Sequence, residues 1–188
     1  PGRGEALVRT KASGICHTDI DILHGRYGNS DFPIVPGHEY AGVVESVGVG
    51  VTNMKSGDRV VIDPNIGCGT CRPCRKGQIN LCESLGAYGV TVNGGFAEFS
   101  TVATSSLVSI GDMPYDVAAF AEPMGCVLNG VETVGTEGVD EAIIFGAGPI
   151  GILMAMALRA HNVQEISLVD IEESRLELVE SLGFSALA

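Results

Sequence analysis

Tryptophan is absent and basic residues are scarce. Eleven Lys and Arg stand against 23 Asp and Glu, for a formal net charge of -12. A surface of that sign repels phosphate backbones, and no basic stripe reverses it locally, so nucleic acid is not an expected partner. No run of about 18 or more apolar residues occurs, so no segment is expected to span a membrane. The opening residues Pro1-Gly2-Arg3-Gly4-Glu5 carry neither an initiator Met nor a secretory signature. What is abundant is apolar or small: 45% of the 188 residues are hydrophobic and 26 are glycine. That length and composition suffice for one large domain or two small ones. The glycines are expected at turns and close backbone approaches. Four of the six cysteines fall between positions 68 and 82 at metal-ligand spacing. That spacing points to reduced thiols, a reducing compartment and hence the cytoplasm.

The first two-thirds reads as short strands separated by glycine-rich turns. Strands are expected at 5–12, 40–51, 58–62 and 95–102, a pattern that suits a β-barrel-like domain over residues 1–116. From Val117 to about Val134 the apolar residues recur at helical spacing, with Pro123 marking a break or a new start. Strand 142–145, helix 150–160, strand 166–169 and helix 172–182 follow, with Gly183 as a helix cap. That alternation is the first half of a doubly wound parallel sheet over residues 117–188. The chain stops where a third strand is expected to begin, and Ile143 is expected on an unpaired edge strand. Cys126 is expected as a thiol buried by its helix.

Cys68, Cys71, Cys74 and Cys82 follow C-x2-C-x2-C-x7-C. Two-residue gaps aim successive thiolates at one centre, and the fourth closes a tetrahedron. Four soft ligands with no open position favour structural zinc over two disulfides or an iron–sulfur cluster. The lobe is expected over about residues 64–84. A second, scattered set comprises Cys16 and His17, then His38 and Glu39 after Pro36-Gly37, and Glu122 before Pro123. A Cys, a His and carboxylates can hold a catalytic zinc with an open fourth position. Spacing alone leaves open a small buried cysteine and a Gly-His-Glu surface turn.

Gly146-Ala147-Gly148-Pro149-Ile150-Gly151 fits G-x-G-x-x-G between a strand and a helix, and Asp170 ends the next strand. The glycines permit close approach of a pyrophosphate to backbone amides at a helix N-terminus. A carboxylate at Asp170 can accept hydrogen bonds from ribose hydroxyls and would repel a 2′-phosphate, so NAD is favoured over NADP.

Taken in this order, Gly14-Ile15-Cys16-His17-Thr18-Asp19, Pro36-Gly37-His38-Glu39, the four-cysteine lobe, Glu122-Pro123 and the 146–151 turn resemble the zinc-dependent medium-chain dehydrogenases. The resemblance covers essentially the whole chain. It implies a GroES-like β-barrel catalytic domain followed by part of a Rossmann domain. It implies two zinc ions per chain and NAD as cofactor. Cys16 and His38 would be catalytic zinc ligands, and Glu39 a carboxylate that ligates or exchanges with the ligands. Glu122 would stand at the remaining ligand position. Glu-Pro there is more similar to the polyol branch, such as sorbitol or arabinitol dehydrogenases, than to the alcohol branch, which usually has Cys. Thr18 matches the hydroxyl that begins a proton relay, and Asp19 a partner that orients His38. His17 matches a residue near the cofactor pyrophosphate. The implied activity is hydride transfer between NAD and a secondary alcohol or polyol, by an enzyme that is a homo-oligomer in full-length relatives. A primary-alcohol dehydrogenase is one alternative. Another is a truncated, catalytically incompetent fragment serving as a zinc-stabilised binding or folding module.

Overall fold

The structure, a computed structural model, describes residues 1–27 and 31–188. It divides into two compact units, Pro1–Glu122 and Pro123–Ala188.

The first unit is built on a five-stranded antiparallel sheet. In chain order its strands are β1 (Glu5–Ser13), β2 (Tyr40–Val47), β3 (Arg59–Ile62), β6 (Phe99–Ala103) and β7 (Leu107–Ser109), arranged β6-β1-β2-β3-β7. Helix α1 (His17–Leu23) lies between β1 and β2. Strand β4 (Asn65–Ile66), helix α2 (Arg72–Arg75) and strand β5 (Gly86–Ala87) form an excursion between β3 and β6, in which β4 pairs with β5. Side chains alternate across a strand, so one face collects the core. Ala6, Val8, Tyr40, Val44, Val60, Ile62, Val102 and Leu107 pack there. Ala41 and Val61, one residue out of phase, turn to the other face and meet Ala118. Ala118 comes from α3 (Tyr115–Ala118), so this short helix covers the back of the sheet at β2 and β3. Tyr40 is fully buried, and its hydroxyl pairs with Ser100 Oγ at 2.9 Å. Burial drives that phenol up to about 12.

The strand expected over 95–102 begins only at Phe99. Residues 94–96 leave the sheet and bond instead to the 35–37 backbone. The helical stretch from Val117 resolves into two pieces, α3 and α4 (Ala121–Val134), and Pro123 stands within the first turn of the second. Proline is tolerated there because the first amides of a helix have no intrahelical acceptor.

The second unit alternates β8 (Glu141–Phe145), α5 (Pro149–Ala160), β9 (Glu165–Val169), α6 (Glu173–Ser181) and β10 (Ser185–Leu187). The strands are parallel in the order β10-β9-β8. The third strand is thus present: residues 185–187 pair with 167–169. A single turn ending in Gly183, at φ +77°, brings the chain back to the sheet. Ala142, Ile144, Ile166, Leu168 and Ala186 face α5 and α6 and form the core. Ile143 and Phe145 lie on the opposite face, and Phe145 is 84% exposed. Among the described residues β8 has no partner on its outer edge. Helix α4 packs on α5 through Val127, Val131 and Ala157. Cys126 faces outward on α4 and is exposed, not buried as expected, because the inward stripe is occupied by Met124, Val127 and Val131. No helix among the described residues is long and apolar enough to cross a membrane.

Gly151 lies in the first turn of α5, and a Cβ there would run into the carbonyl oxygen of Gly146. Alanine would gain about 1 kcal/mol of helix propensity at this position. Overpacking against backbone that cannot rotate away costs about 1–3 kcal/mol, so the clash wins. Gly151→Ala is therefore expected to lower the urea midpoint of the second unit, and an unchanged or raised midpoint would show that the helix can retreat from the strand.

Candidate functional site

Helix α1 begins immediately after Cys16, which is its extended N-cap at φ -93° and ψ 157°. The Cys16 amide donates to Asp19 Oδ2 at 2.8 Å, the arrangement that closes a helix start. Asp19 is 4% exposed. Its other oxygen, Oδ1, accepts from the Gly37 amide at 3.1 Å and lies 3.4 Å from His38 Nδ1. His38 is buried, and its Nδ1 forms no hydrogen bond. With Nδ1 turned toward Asp19, Nε2 is the ring nitrogen left for the other side. One carboxyl group thus ties the start of α1 to the turn that carries His38.

The result is a cluster. A ligand atom from each of Cys16, His38 and Glu39 lies within 4.8 Å of the others. Glu39 is also held through its backbone, whose carbonyl accepts from the Gly14 amide at 2.7 Å. Burial pushes the Glu39 carboxyl above the usual carboxylate range, against the pull of His38. Burial does the same to Glu122, which senses His38 and then Glu39 and Asp63. Glu122 therefore stands in the field of the same cluster. The Cys16 thiol, the His38 imidazole and the desolvated Glu39 carboxyl form a donor set that suits a divalent cation of the zinc type, while Glu122 is not among the residues whose ligand atoms gather within 4.8 Å. Thr18 and His17 occupy the first turn of α1; Thr18 is half-buried, while His17 is exposed and lies 3.8 Å from Asp21. Asp63 was not singled out by its sequence, because an isolated Asp after a strand carries no pattern.

The four sulfurs of Cys68, Cys71, Cys74 and Cys82 also lie within 4.8 Å of one another. A tetrahedral ion with Zn–S bonds of about 2.3 Å sets its sulfurs about 3.8 Å apart. The Cys71 and Cys82 sulfurs are separated by 3.9 Å, so the lobe fits such an ion. Backbone amides point at the sulfurs: Cys71 N–H donates to Cys68 at 3.3 Å, Cys68 N–H to Cys82 at 3.3 Å, and Ser84 N–H to Cys82 at 3.4 Å. The Thr70 hydroxyl, with the Thr70 and Cys71 amides, holds the Cys68 thiol down at about 5. The Cys68 and Ser84 amides lower Cys82 as well. Cys74 is raised, first by desolvation and then by the other thiols.

In the second unit the turn from Gly146 to Gly151 joins β8 to α5. Gly146 has φ +106°, Gly148 caps the helix, and Pro149 and Ile150 open its first turn. Asp170 follows β9, as its spacing implied, but its carboxylate is engaged within the chain. Oδ2 accepts from the Ala147 amide at 2.8 Å and from Arg175 Nη1 at 3.2 Å, while Oδ1 accepts from the Glu172 amide at 3.0 Å. A ribose would share these oxygens with their present donors. Arg175, with its side chain 53% exposed, had not been singled out; its place five residues past Asp170 is the signal that would have found it.

The Ala147 and Glu172 amides, with Arg175, hold Asp170 at about 2, below its ordinary 3.8. A depressed folded value means stabilisation that is complete above the unfolded value and lost as pH falls through the folded one. The second unit is accordingly expected to lose stability between pH 3.8 and about 2. Asp170→Asn should be less stable at neutral pH and should lack that part of the acid dependence. Carboxyl NMR titration with acid unfolding measures both, and an Asp170 midpoint near 4 would disprove the bonding described.

Residues 2–112 match the alcohol dehydrogenase GroES-like domain. D-altritol 5-dehydrogenase of Agrobacterium fabrum is 57% identical over 184 residues, covering 96% of this chain and 55% of that protein. A protein of Sinorhizobium meliloti described as a zinc-binding dehydrogenase, solved with NADP, superposes with a TM-score of 0.94 at 35% identity, over 100% of this chain and 55% of that one. A short chain alcohol dehydrogenase of Escherichia coli CFT073, complexed with NADH, gives a TM-score of 0.90 at 34% identity, over 100% of this chain and 56% of that one. The chain spans about half the length of the curated relatives it matches. With a domain match over more than half of its own residues, this chain belongs to the alcohol dehydrogenase GroES-like domain family.

Proposed function

We propose that this chain is part of a zinc-dependent oxidoreductase that transfers hydride between a secondary alcohol or polyol and NAD. Residues 1–116 would supply the catalytic barrel and residues 117–188 the first half of the NAD-binding domain, in a cytoplasmic homo-oligomer. The observation that carries this reading is the convergence of Cys16, from the start of α1, with the adjacent pair His38 and Glu39, from the turn before β2, within 4.8 Å of one another. A polyol is favoured because a protein 57% identical is a D-altritol 5-dehydrogenase, and because Glu122 stands where the alcohol branch usually has Cys.

Cys16, His38 and a carboxylate from Glu39 or Glu122 would hold the catalytic ion, and the four lobe cysteines a structural one. When bound, zinc supplies Lewis-acid polarisation of the substrate oxygen and the nicotinamide accepts or returns the hydride. The chain's residues supply position and proton handling. Asp19 Oδ1, 3.4 Å from His38 Nδ1, would engage that nitrogen and leave Nε2 for the ion, fixing the ring orientation that a ligating imidazole needs. The Thr18 hydroxyl would accept the proton of the substrate hydroxyl while releasing its own toward solvent. Gly146, Gly148, Pro149, Ile150 and Gly151 would receive the pyrophosphate at the N-terminus of α5, with His17 contributing nearby. Asp170 remains a carboxylate down to about pH 2, which disfavours a 2′-phosphate; Arg175 offsets part of that charge.

Two zinc ions per chain are expected by elemental analysis. Cys16→Ser should leave one and Cys71→Ser the other, because the two sets share no ligand. In a full-length version, only the first set should govern NADH formation when D-altritol, sorbitol, arabinitol, 2,3-butanediol and ethanol are offered. A wild-type chain that takes up a single zinc, retained in Cys16→Ser, would defeat the proposal. For the cofactor, Asp170→Gly should narrow the NAD-over-NADP affinity ratio measured by fluorescence titration; an unchanged ratio would remove Asp170 from that role.

A further inference from the structure

The turn that carries His38 is gripped from two sides. Asp19 holds the Gly37 amide from the side of α1. The opposite grip comes from a segment more than fifty residues away. The Gly94 amide donates to the Val35 carbonyl at 2.8 Å, Phe96 to Pro36 at 3.0 Å and Gly95 to Gly37 at 2.8 Å. In return, the Val35 amide donates to the Asn93 side-chain oxygen at 2.9 Å. Every backbone carbonyl from 35 to 37 is therefore claimed by the 94–96 segment. The two backbones touch: a Cβ on Gly94 would collide with the Gly37 carbonyl and with the backbone of Gly89.

The gripping segment is itself anchored. The Gly89 amide bonds to the Val92 carbonyl at 2.7 Å, and Thr91 Oγ1 accepts from Ala87 N–H at 2.8 Å, so residues 87–92 form a tight loop. Its base is β5, paired with β4 next to the four-cysteine lobe, and Tyr88 N–H bonds to the Pro64 carbonyl at 3.0 Å. Four hydrogen bonds to three consecutive residues restrain the backbone immediately before His38 and Glu39.

We infer that Asn93–Phe96 is a positioning element for the Cys16–His38–Glu39 cluster, clasping the 35–37 turn so that the imidazole and carboxylate meet the thiol. The inference rests on the metal-site reading given above. Asn93 is the handle by which it can be tested. It is exposed, it has no place in the ligand set, and its contribution is one acceptor oxygen. Groups that orient metal ligands typically contribute about 10- to 100-fold in metal affinity.

The experiment is competitive chelator titration of the cobalt-loaded chain. It follows the one-thiolate and four-thiolate sites separately by their visible spectra, in wild type, Asn93→Ala and Asn93→Asp. Asn93→Ala is expected to weaken cobalt at the Cys16–His38 site about 10-fold while leaving the lobe affinity and the melting temperature unchanged. Asn93→Asp keeps an acceptor for the Val35 amide and should restore the wild-type value. Equal affinity at the Cys16–His38 site in wild type and Asn93→Ala overturns the inference and leaves the metal reading intact. Equal losses at both sites together with a lower melting temperature overturn it too, since Asn93 would then serve stability alone. A wild-type chain that holds cobalt only in its lobe overturns the metal reading, and the inference with it.

Discussion

The arrangement of the first unit depends on the buried carboxyl of Asp19. Taking such a group out of water is costly unless its oxygens are bonded, so it belongs at 4% exposure only where donors converge on it. They do: the Cys16 and Gly37 amides donate to its two oxygens, with His38 Nδ1 3.4 Å from one of them. Those donors come from two segments that would otherwise be independent loops. Without Asp19 the Cys16 amide would be an unsatisfied helix-start donor, and the Gly37 amide a buried one. The fold and the cluster are thus two consequences of one set of bonds: the carboxyl is satisfied only when the thiol and the imidazole are brought together.

The four-cysteine lobe reaches its geometry by a different route. The lobe has no apolar core of its own, and all but Cys82 of its cysteines are partly or fully exposed. Its order comes from backbone amides aimed at sulfur, which lower the thiols of Cys68 and Cys82. The amides favour the thiolate at Cys68 and Cys82, while desolvation and the neighbouring thiols oppose it at Cys74, a conflict that a tetrahedral cation among the four sulfurs would relieve. The lobe is spliced between β4 and β5, and the chain leaving β5 runs on to the segment that grips the 35–37 turn. The backbone next to His38 is therefore braced by chain that emerges from the other cluster.

Much of this was legible in the sequence, for identifiable reasons. Strands β1, β2, β3, β8 and β9 and helices α5 and α6 follow from side-chain period, which is local. The lobe follows from spacing, since four cysteines fifteen residues end to end leave few geometries. The scattered set was weak as spacing and became recognisable only through a family resemblance, because its proximity is created by Asp19 and by the 94–96 grip. Neither is a pattern in the chain. The strand expected from Gly95 failed for the same reason. Residues 95–98 have suitable composition, but the amides of Gly95 and Phe96 are drawn to 36–37, a tertiary demand that propensity does not contain. The third parallel strand at 185–187 was missed because three residues offer too short a run to show alternation.

The second unit repeats the device of the first. Asp170, like Asp19, spends its two oxygens on backbone amides from different segments: Ala147 in the glycine turn and Glu172 before α6. Arg175 takes the part that His38 takes beside Asp19, a nitrogen-bearing side chain from a nearby element. In both units an aspartate pins the first turn after a strand, where backbone amides would otherwise lack acceptors. Asp170 is proposed as a ribose acceptor by virtue of its place after β9. Its bonding gives it a second task, closing the glycine turn against β9, and the two tasks compete for the same oxygens. A ribose hydroxyl that approaches Asp170 must find it held by Ala147, and Ala147 sits between the two glycines that would receive the phosphates. In the proposed reading, sugar recognition and phosphate recognition would be mechanically joined through the 2.8 Å bond from the Ala147 amide to Asp170.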